Sequence, residues 1–296
     1  MDLNIQDTFK VAEGWKGRGI GVFHFVCFIL LYFALAFGTF SAALHFFPHK
    51  LFSGLSLSAG LISAACALLA TFIMAKTTGR KFTRYGFGGT HRARNFLIGA
   101  IGGLALLAAL LGGLKYFGVF TFGNPTVNVS STVYYAALYA VLFLAIGFNE
   151  EVMFHGYALV LLSRAVSFWP AAIILGVLFG AAHLGNGPRE GVTGALTAGL
   201  IGVVFAYSFL KTGSLWLAIG LHSGWDYAES FIFGVSDSGT PALPGGIFHP
   251  TFHGPDWLTG GTVGPEGSVL VLVPMVAMVI LSWILRRRMD EIHSQD

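Results

Sequence analysis

Eight apolar runs, most of them close to 20 residues long, decide what this chain can become. They cover about 20–47, 54–75, 95–114, 131–162, 168–184, 191–210, 214–233 and 267–285. Roughly 20 consecutive apolar residues in a helix match the hydrocarbon thickness of a bilayer. Lipid tails offer a backbone no hydrogen-bond partners, and an α-helix meets that demand within one segment. Charged residues make up only 10% of the chain and mean hydropathy is +0.72, whereas soluble domains carry about 25% charged residues. The expectation is an all-α, polytopic integral-membrane bundle of about eight helices. The run at 131–162 is too long for one straight span, so it must tilt or continue past the interface.

One transmembrane domain is expected over 20–285, between an N-terminal segment (1–19) and a basic tail (286–296). No internal repeat is evident, and the polar first twenty residues do not resemble a cleavable signal. Cys27 and Cys66 both fall within spans and read as packing residues. Putting both termini in the cytoplasm leaves only Lys50, Lys115 and Arg189 of the seventeen basic residues on the other side, a strong positive-inside bias. The net charge of +3 thus reflects topology, and no nucleic-acid partner is inferred. The basic loop 76–94 reads as a topological anchor that also contacts anionic lipid head groups. A bacterial inner membrane is the expected location, on the high glycine and low lysine content.

Of the fourteen acidic residues, four fall within the runs: Glu150, Glu151, Asp226 and Glu229. A charge at mid-bilayer costs about 2.5–3.5 kcal/mol on insertion scales, so these positions call for an explanation. Spacing supplies one, because residues four apart share a helix face. Glu151 and His155 form such a pair in "EEVMFH", Phe179 and His183 in "FGAAH", and His222 and Asp226 in "HSGWD". At 1.5 Å rise per residue, Glu150, His183, His222 and Asp226 lie roughly 20, 22, 12 and 18 Å from the cytoplasmic ends of their helices. Three polar faces at similar depth are expected to share one intramembrane cavity. Bland readings stand beside this one. The glutamates could sit at a wet helix end, and His183 could cap its span ahead of "GNGP". His24 and His45 have no acidic neighbour at helical spacing and read as structural. Glu229 is either a supporting residue or interfacial.

Carboxylates and histidines in a sheltered pocket suit water activation. A buried Glu can act as base, while an imidazole stabilises the oxyanion formed on an amide. No serine or cysteine occupies an obvious nucleophile motif. A zinc-dependent version would use Glu150, His183 and His222 as ligands, but with no HExxH motif it ranks second, and no cofactor is expected to be required. A proton-coupled transporter is a rival from another class, as is a non-catalytic scaffold.

The three motifs, in this order and on separate late helices, resemble the signatures EExxxR, FxxxH and HxxxN or HxxxD of the CAAX-protease and bacteriocin-processing (CPBP, or Abi) family of intramembrane proteases. The resemblance covers about 131–233. It implies eight helices around an intramembrane cavity and endopeptidase activity on a peptide or protein substrate. It makes Glu150 the water-activating base, assisted by His183, and Glu151 the partner of the residue four further on. His222 and Asp226 become the oxyanion-stabilising face, with His155 and Phe179 in support. Two positions depart from the pattern. His155 replaces the family's arginine, exchanging a permanent ion pair for a titratable one. Asp226 stands where some relatives have asparagine, and an ionised Asp cannot donate to an oxyanion. Finally, the Gly- and Pro-rich stretch 234–266 contains no Lys or Arg and is expected to form a flap over the outer face.

Overall fold

A computed structural model describes residues 5–47, 56–89, 91–187 and 189–293; the extreme ends of the chain, Lys50 and Pro188 lie outside them. A short helix α1 (Ile5–Thr8) precedes the long helices α2 (Gly14–Phe46), α3 (Leu57–Thr77) and α4 (Arg92–Tyr116). Strand β1 (Phe120–Thr121) leads to α5 (Val129–Glu150), which continues through a π-helical segment, Glu151–Tyr157, into α6 (Ala158–Val166). Next come α7 (Phe168–His183), α8 (Gly191–Thr212) and α9 (Trp216–Tyr227), the last prolonged by a second π-helical segment, Ala228–Phe233. Strand β2 (Thr251–Phe252), the single turn α10 (Asp256–Thr259) and α11 (Leu272–His293) complete the order.

Among the described residues, seven helices are long and apolar enough to cross a membrane. The chain is an integral-membrane helical bundle. Large apolar side chains remain exposed on the outside: Phe23, Phe33 and Phe37 on α2, Val177 on α7, Leu196 on α8 and Val273 on α11. Such surface is out of place in water and suited to lipid tails. Phe28, Phe143, Phe179 and Phe209 are instead fully buried, so the phenylalanine load divides between lipid contact and core.

The expected eighth span, 214–233, is not among the seven. It is the 12-residue helix α9 plus its six-residue π-helical extension. Helices α4, α5 and α8 pack around it, and its side chains are almost all buried. A helix enclosed by others is spared contact with lipid, which permits it to carry His222, Asp226 and Glu229.

Close backbone approach seats α9. A Cβ on Gly99 would lie 2.8 Å from Leu221 N and 3.0 Å from Gly220 Cα, and one on Gly220 would lie 3.0 Å from Gly99 Cα. Gly103 and Gly224 face the opposite backbone in the same way, so two glycine pairs at four-residue spacing lock α4 against α9. A comparable approach joins α7 to α8, where Gly176 and Gly180 meet Gly199 and Ala195. The α8 stripe of Gly194, Ala198 and Gly202, which has the spacing of a helix-contact face, meets α7 at Phe179 and also accommodates the Glu190 side chain. Gly194 underlies Glu190 and Gly202 underlies the Phe179 ring.

The long 131–162 run is, as its length requires, not one straight span. The helix spanning Val129–Val166 is kinked, with Gly156 at φ −81°, ψ −111°. Every residue of the π-helical segment Glu151–Tyr157 is buried. Interruptions of this kind re-aim side chains and are frequent at functional sites. The connection 234–266 is pinned down. Antiparallel β1 and β2 pair Phe120 with Phe252 and Thr121 with Thr251. Ile247 N–H donates to Phe231 O, Thr126 N–H donates to Ile247 O, and the Tyr139 hydroxyl donates to Pro244 O.

Candidate active site

The break between α5 and its π-helical continuation falls between the two glutamates. Glu151 is fully buried. Its Oε2 lies 2.9 Å from His155 Nδ1, one turn along the helix. Its Oε1 lies 2.9 Å from His222 Nδ1, across on α9. A carboxylate only accepts hydrogen bonds, so both histidines donate from Nδ1. Glu151 therefore clamps two imidazoles and spends both its oxygens doing so.

With Nδ1 committed, His222 presents Nε2 to two other carboxylates. It lies 3.5 Å from Asp226 Oδ2 and 3.7 Å from Glu150 Oε2. Both separations exceed hydrogen-bond length and leave the ring nitrogen facing open space. Glu150 Oε2 has no hydrogen-bond partner, and the Glu150 side chain is 26% exposed, against none for its neighbour. Adjacent glutamates thus occupy different environments: both oxygens of Glu151 are engaged, whereas Glu150 is partly exposed and its buried Oε2 is unengaged.

Glu150, His183, His222 and Asp226 line a single cavity of about 110 Å³, together with Phe179 and Phe205. That is room for several waters, each needing roughly 10–15 Å³ by this measure. His183 Nδ1 donates to Phe179 O at 2.9 Å, as expected for a residue pair one helical turn apart. That bond aims the ring's other nitrogen away from its own helix. The Phe179 ring packs against His183 with centroids 4.5 Å apart and also contacts the rings of His155 and His222. Phe205 stacks on His222 at 5.4 Å with the planes 17° apart. Asp226 is buried, whereas His155 is fully buried within the π-helical segment, with its Nε2 unpartnered.

Several residues here were invisible to motif reading. Phe205 sits on a helix without a motif. Asp237 and Glu266, both in the 234–266 connection, line the same cavity. Glu190, just ahead of α8, is 1% exposed. Burial, then the charge of Glu266, pushes its carboxyl up to about 7, with His183 pulling it back. Burial, then the charges of Asp226 and Glu266, also raises Asp237 well above the ordinary carboxylate range. Glu229 is fully buried, and neither of its oxygens has a hydrogen bond of full geometry. Among the described residues, Asp226, Glu229 and Asp237 each bring one carboxylate oxygen within 4.8 Å of the other two, close enough to hold a metal ion.

Comparison with known proteins adds a family. Residues 130–228 match the family model described as type II CAAX prenyl endopeptidase Rce1-like. The matched stretch runs from the start of α5 to the end of α9, and so contains Glu150, Glu151, His155, Phe179, His183, His222 and Asp226. No curated protein and no solved structure matched the chain. Over residues 130–228 this membrane-embedded chain is thus similar to the type II CAAX prenyl endopeptidase family.

Proposed function

We propose that the chain hydrolyses a peptide bond of a membrane-associated protein by direct activation of water, with Glu150 as the base. The observation that carries this reading is the unpartnered Glu150 Oε2, which faces His222 and borders a cavity shared with His183 and Asp226. A water held between Glu150 and His183 gives its proton to Glu150 as its oxygen bonds to the carbonyl carbon. The carbonyl electron pair moves onto oxygen, and His222, protonated at Nε2, donates to that oxyanion. Collapse of the oxyanion breaks the C–N bond, and Glu150 returns the proton to the departing amine.

The other residues set geometry. Glu151 holds His222 by Nδ1, so only Nε2 can turn to the substrate. Asp226 faces that same Nε2 and orients it. An ionised Asp cannot itself donate to an oxyanion, which leaves the donation to His222. Phe179 and Phe205 restrict ring rotation and keep the site largely dry, which strengthens its electrostatics. No step in this reading is assigned to a metal ion. A substrate with a CAAX-type C-terminus is the class the family suggests.

The test is cleavage of a CAAX-type peptide by the purified protein in nanodiscs, paired with proteomics of precursors that accumulate in membranes. Glu150→Gln, His183→Ala and His222→Ala should each slow cleavage by about 10²–10⁴-fold, the usual contribution of a positioned acid–base group. Parent-level cleavage in Glu150→Gln would refute the assignment. A chelator selective for transition metals should leave the rate unchanged. Loss of activity that zinc restores would instead make Glu150, His183 and His222 ligands.

A further inference from the structure

Asp226, which orients His222, also belongs to a group of acids whose other two members, Glu229 and Asp237, have no part in the hydrolytic reading. One carboxylate oxygen from each of Asp226, Glu229 and Asp237 falls within 4.8 Å of the other two. Asp226 and Glu229 are buried on the α9 helix and its π-helical extension, and Asp237 begins the 234–266 connection. Glu229 is the telling member. It is fully buried and neither oxygen accepts a hydrogen bond of full geometry. Among the described residues, the one donor close to it is the indole N–H of Trp225, which has no other acceptor and falls short of that geometry. One marginal donor for two buried carboxylate oxygens leaves room for an external partner.

Compensating charge is scarce. Among the described residues, the one ion pair made by any of the three is Asp226 with His222 at 3.5 Å. Ser230 donates to Asp237 Oδ2 at 3.3 Å, but that bond brings no charge. Glu266 adds a further negative charge that acts on all three acids. No Lys or Arg occurs anywhere in 234–266.

We propose that Asp226, Glu229 and Asp237 form a binding site for a hard divalent cation, Ca²⁺ in preference to Mg²⁺. The donors are all carboxylate oxygens, the chemistry of Ca²⁺ and Mg²⁺. Oxygens bound to Ca²⁺ at 2.3–2.6 Å can be up to about 5 Å apart across the ion, whereas Mg²⁺ at 2.0–2.1 Å demands a tighter, near-ideal octahedron. All three oxygens lie within 4.8 Å of one another, inside the span that Ca²⁺ allows. Three carboxylates leave several coordination positions for water. Two of the ligands belong to one helical segment and the third to the connection that follows, so the cation staples residue 237 onto α9. Asp237, Ser238, Thr240 and Glu266 all line the cavity. The ion therefore holds that side of the cavity in place and, through Asp226, bears on the orientation of His222.

The protein in nanodiscs, stripped with a Ca²⁺ chelator, is titrated with Ca²⁺ and with Mg²⁺ while thermal unfolding is followed. Terbium luminescence excited through Trp225 gives a second readout. Ca²⁺ should raise the midpoint saturably, half-maximally somewhere in the range of about 10⁻⁵–10⁻³ M, and more effectively than Mg²⁺. Glu229→Gln and Asp237→Asn should each weaken apparent affinity by at least about 10-fold, because each removes a charged ligand. Trp225→Phe should remove most of the terbium signal and leave the Ca²⁺-induced shift in place. If Glu229→Gln stabilises the metal-free protein and the parent shows no saturable cation response, protons neutralise the cluster and the proposal fails. A Ca²⁺ shift retained in both carboxylate variants overturns it equally.

Discussion

Replacing Gly103 by alanine tests whether the site depends on how closely α4 and α9 approach. A Cβ at 103 would sit 2.8 Å from Trp225 N, and closer still to Leu221 O. Both are backbone atoms of α9 and cannot swing aside. Ordinary contact requires about 3.5 Å, so α9 must retreat by roughly 1 Å locally. His222 and Asp226 directly follow the two residues struck, and the displacement passes straight to them. A misplacement of about 1 Å in catalytic geometry can cost on the order of 10²-fold in rate, and overpacking of this kind about 1–3 kcal/mol in stability. The assay is CAAX-type peptide cleavage alongside thermal unfolding in detergent. Gly102→Ala is the control, since its Cβ meets only the ends of Leu221 and Leu281 at 3.4 and 3.7 Å and should behave as the parent. Full turnover and an unchanged midpoint in Gly103→Ala would refute the reasoning, as would equal damage at Gly102.

Two further outcomes follow from the electrostatics. Glu151→Gln keeps the shape but offers one acceptor oxygen to two histidine donors 2.9 Å away. It should cost about 3–5 kcal/mol of stability, as for other broken buried pairs, and lower cleavage even where the protein still folds; unfolding in detergent at neutral pH measures this. Glu190 is held up to about 7 against an ordinary 4.5, so the folded state binds the extra proton. Its contribution is intact below about pH 4.5 and is lost as pH rises to about 7, a change of up to about 3 kcal/mol. Glu190→Gln should flatten the fall in stability between pH 5 and pH 8, and an unchanged pH profile would contradict the assignment.

Membrane residence and the local pairs were legible in the sequence, because each depends only on residues near in the chain. Apolar run length sets the class. Four-residue spacing sets Glu151 beside His155, and aligns Phe179 with His183 and His222 with Asp226, whatever the helices do afterwards. The second partner of Glu151 lies 71 residues away, and no local pattern encodes that distance. Small residues at four-residue spacing announce that close helix contact is possible without saying with which helix. The α8 stripe of Gly194, Ala198 and Gly202 has that spacing too, yet Gly99 and Gly103 against Gly220 and Gly224 make the contact that seats α9. The kink at Gly156 likewise emerges only when α5 and α6 are packed on different neighbours. Asp237, Glu266 and Glu190 look like ordinary loop acids in the sequence, and only the fold gathers them with Asp226 and Glu229. Periodicity determined which side chains share a helix face. Packing decided which faces meet, because the energy of that choice resides in contacts between segments that are strangers in sequence.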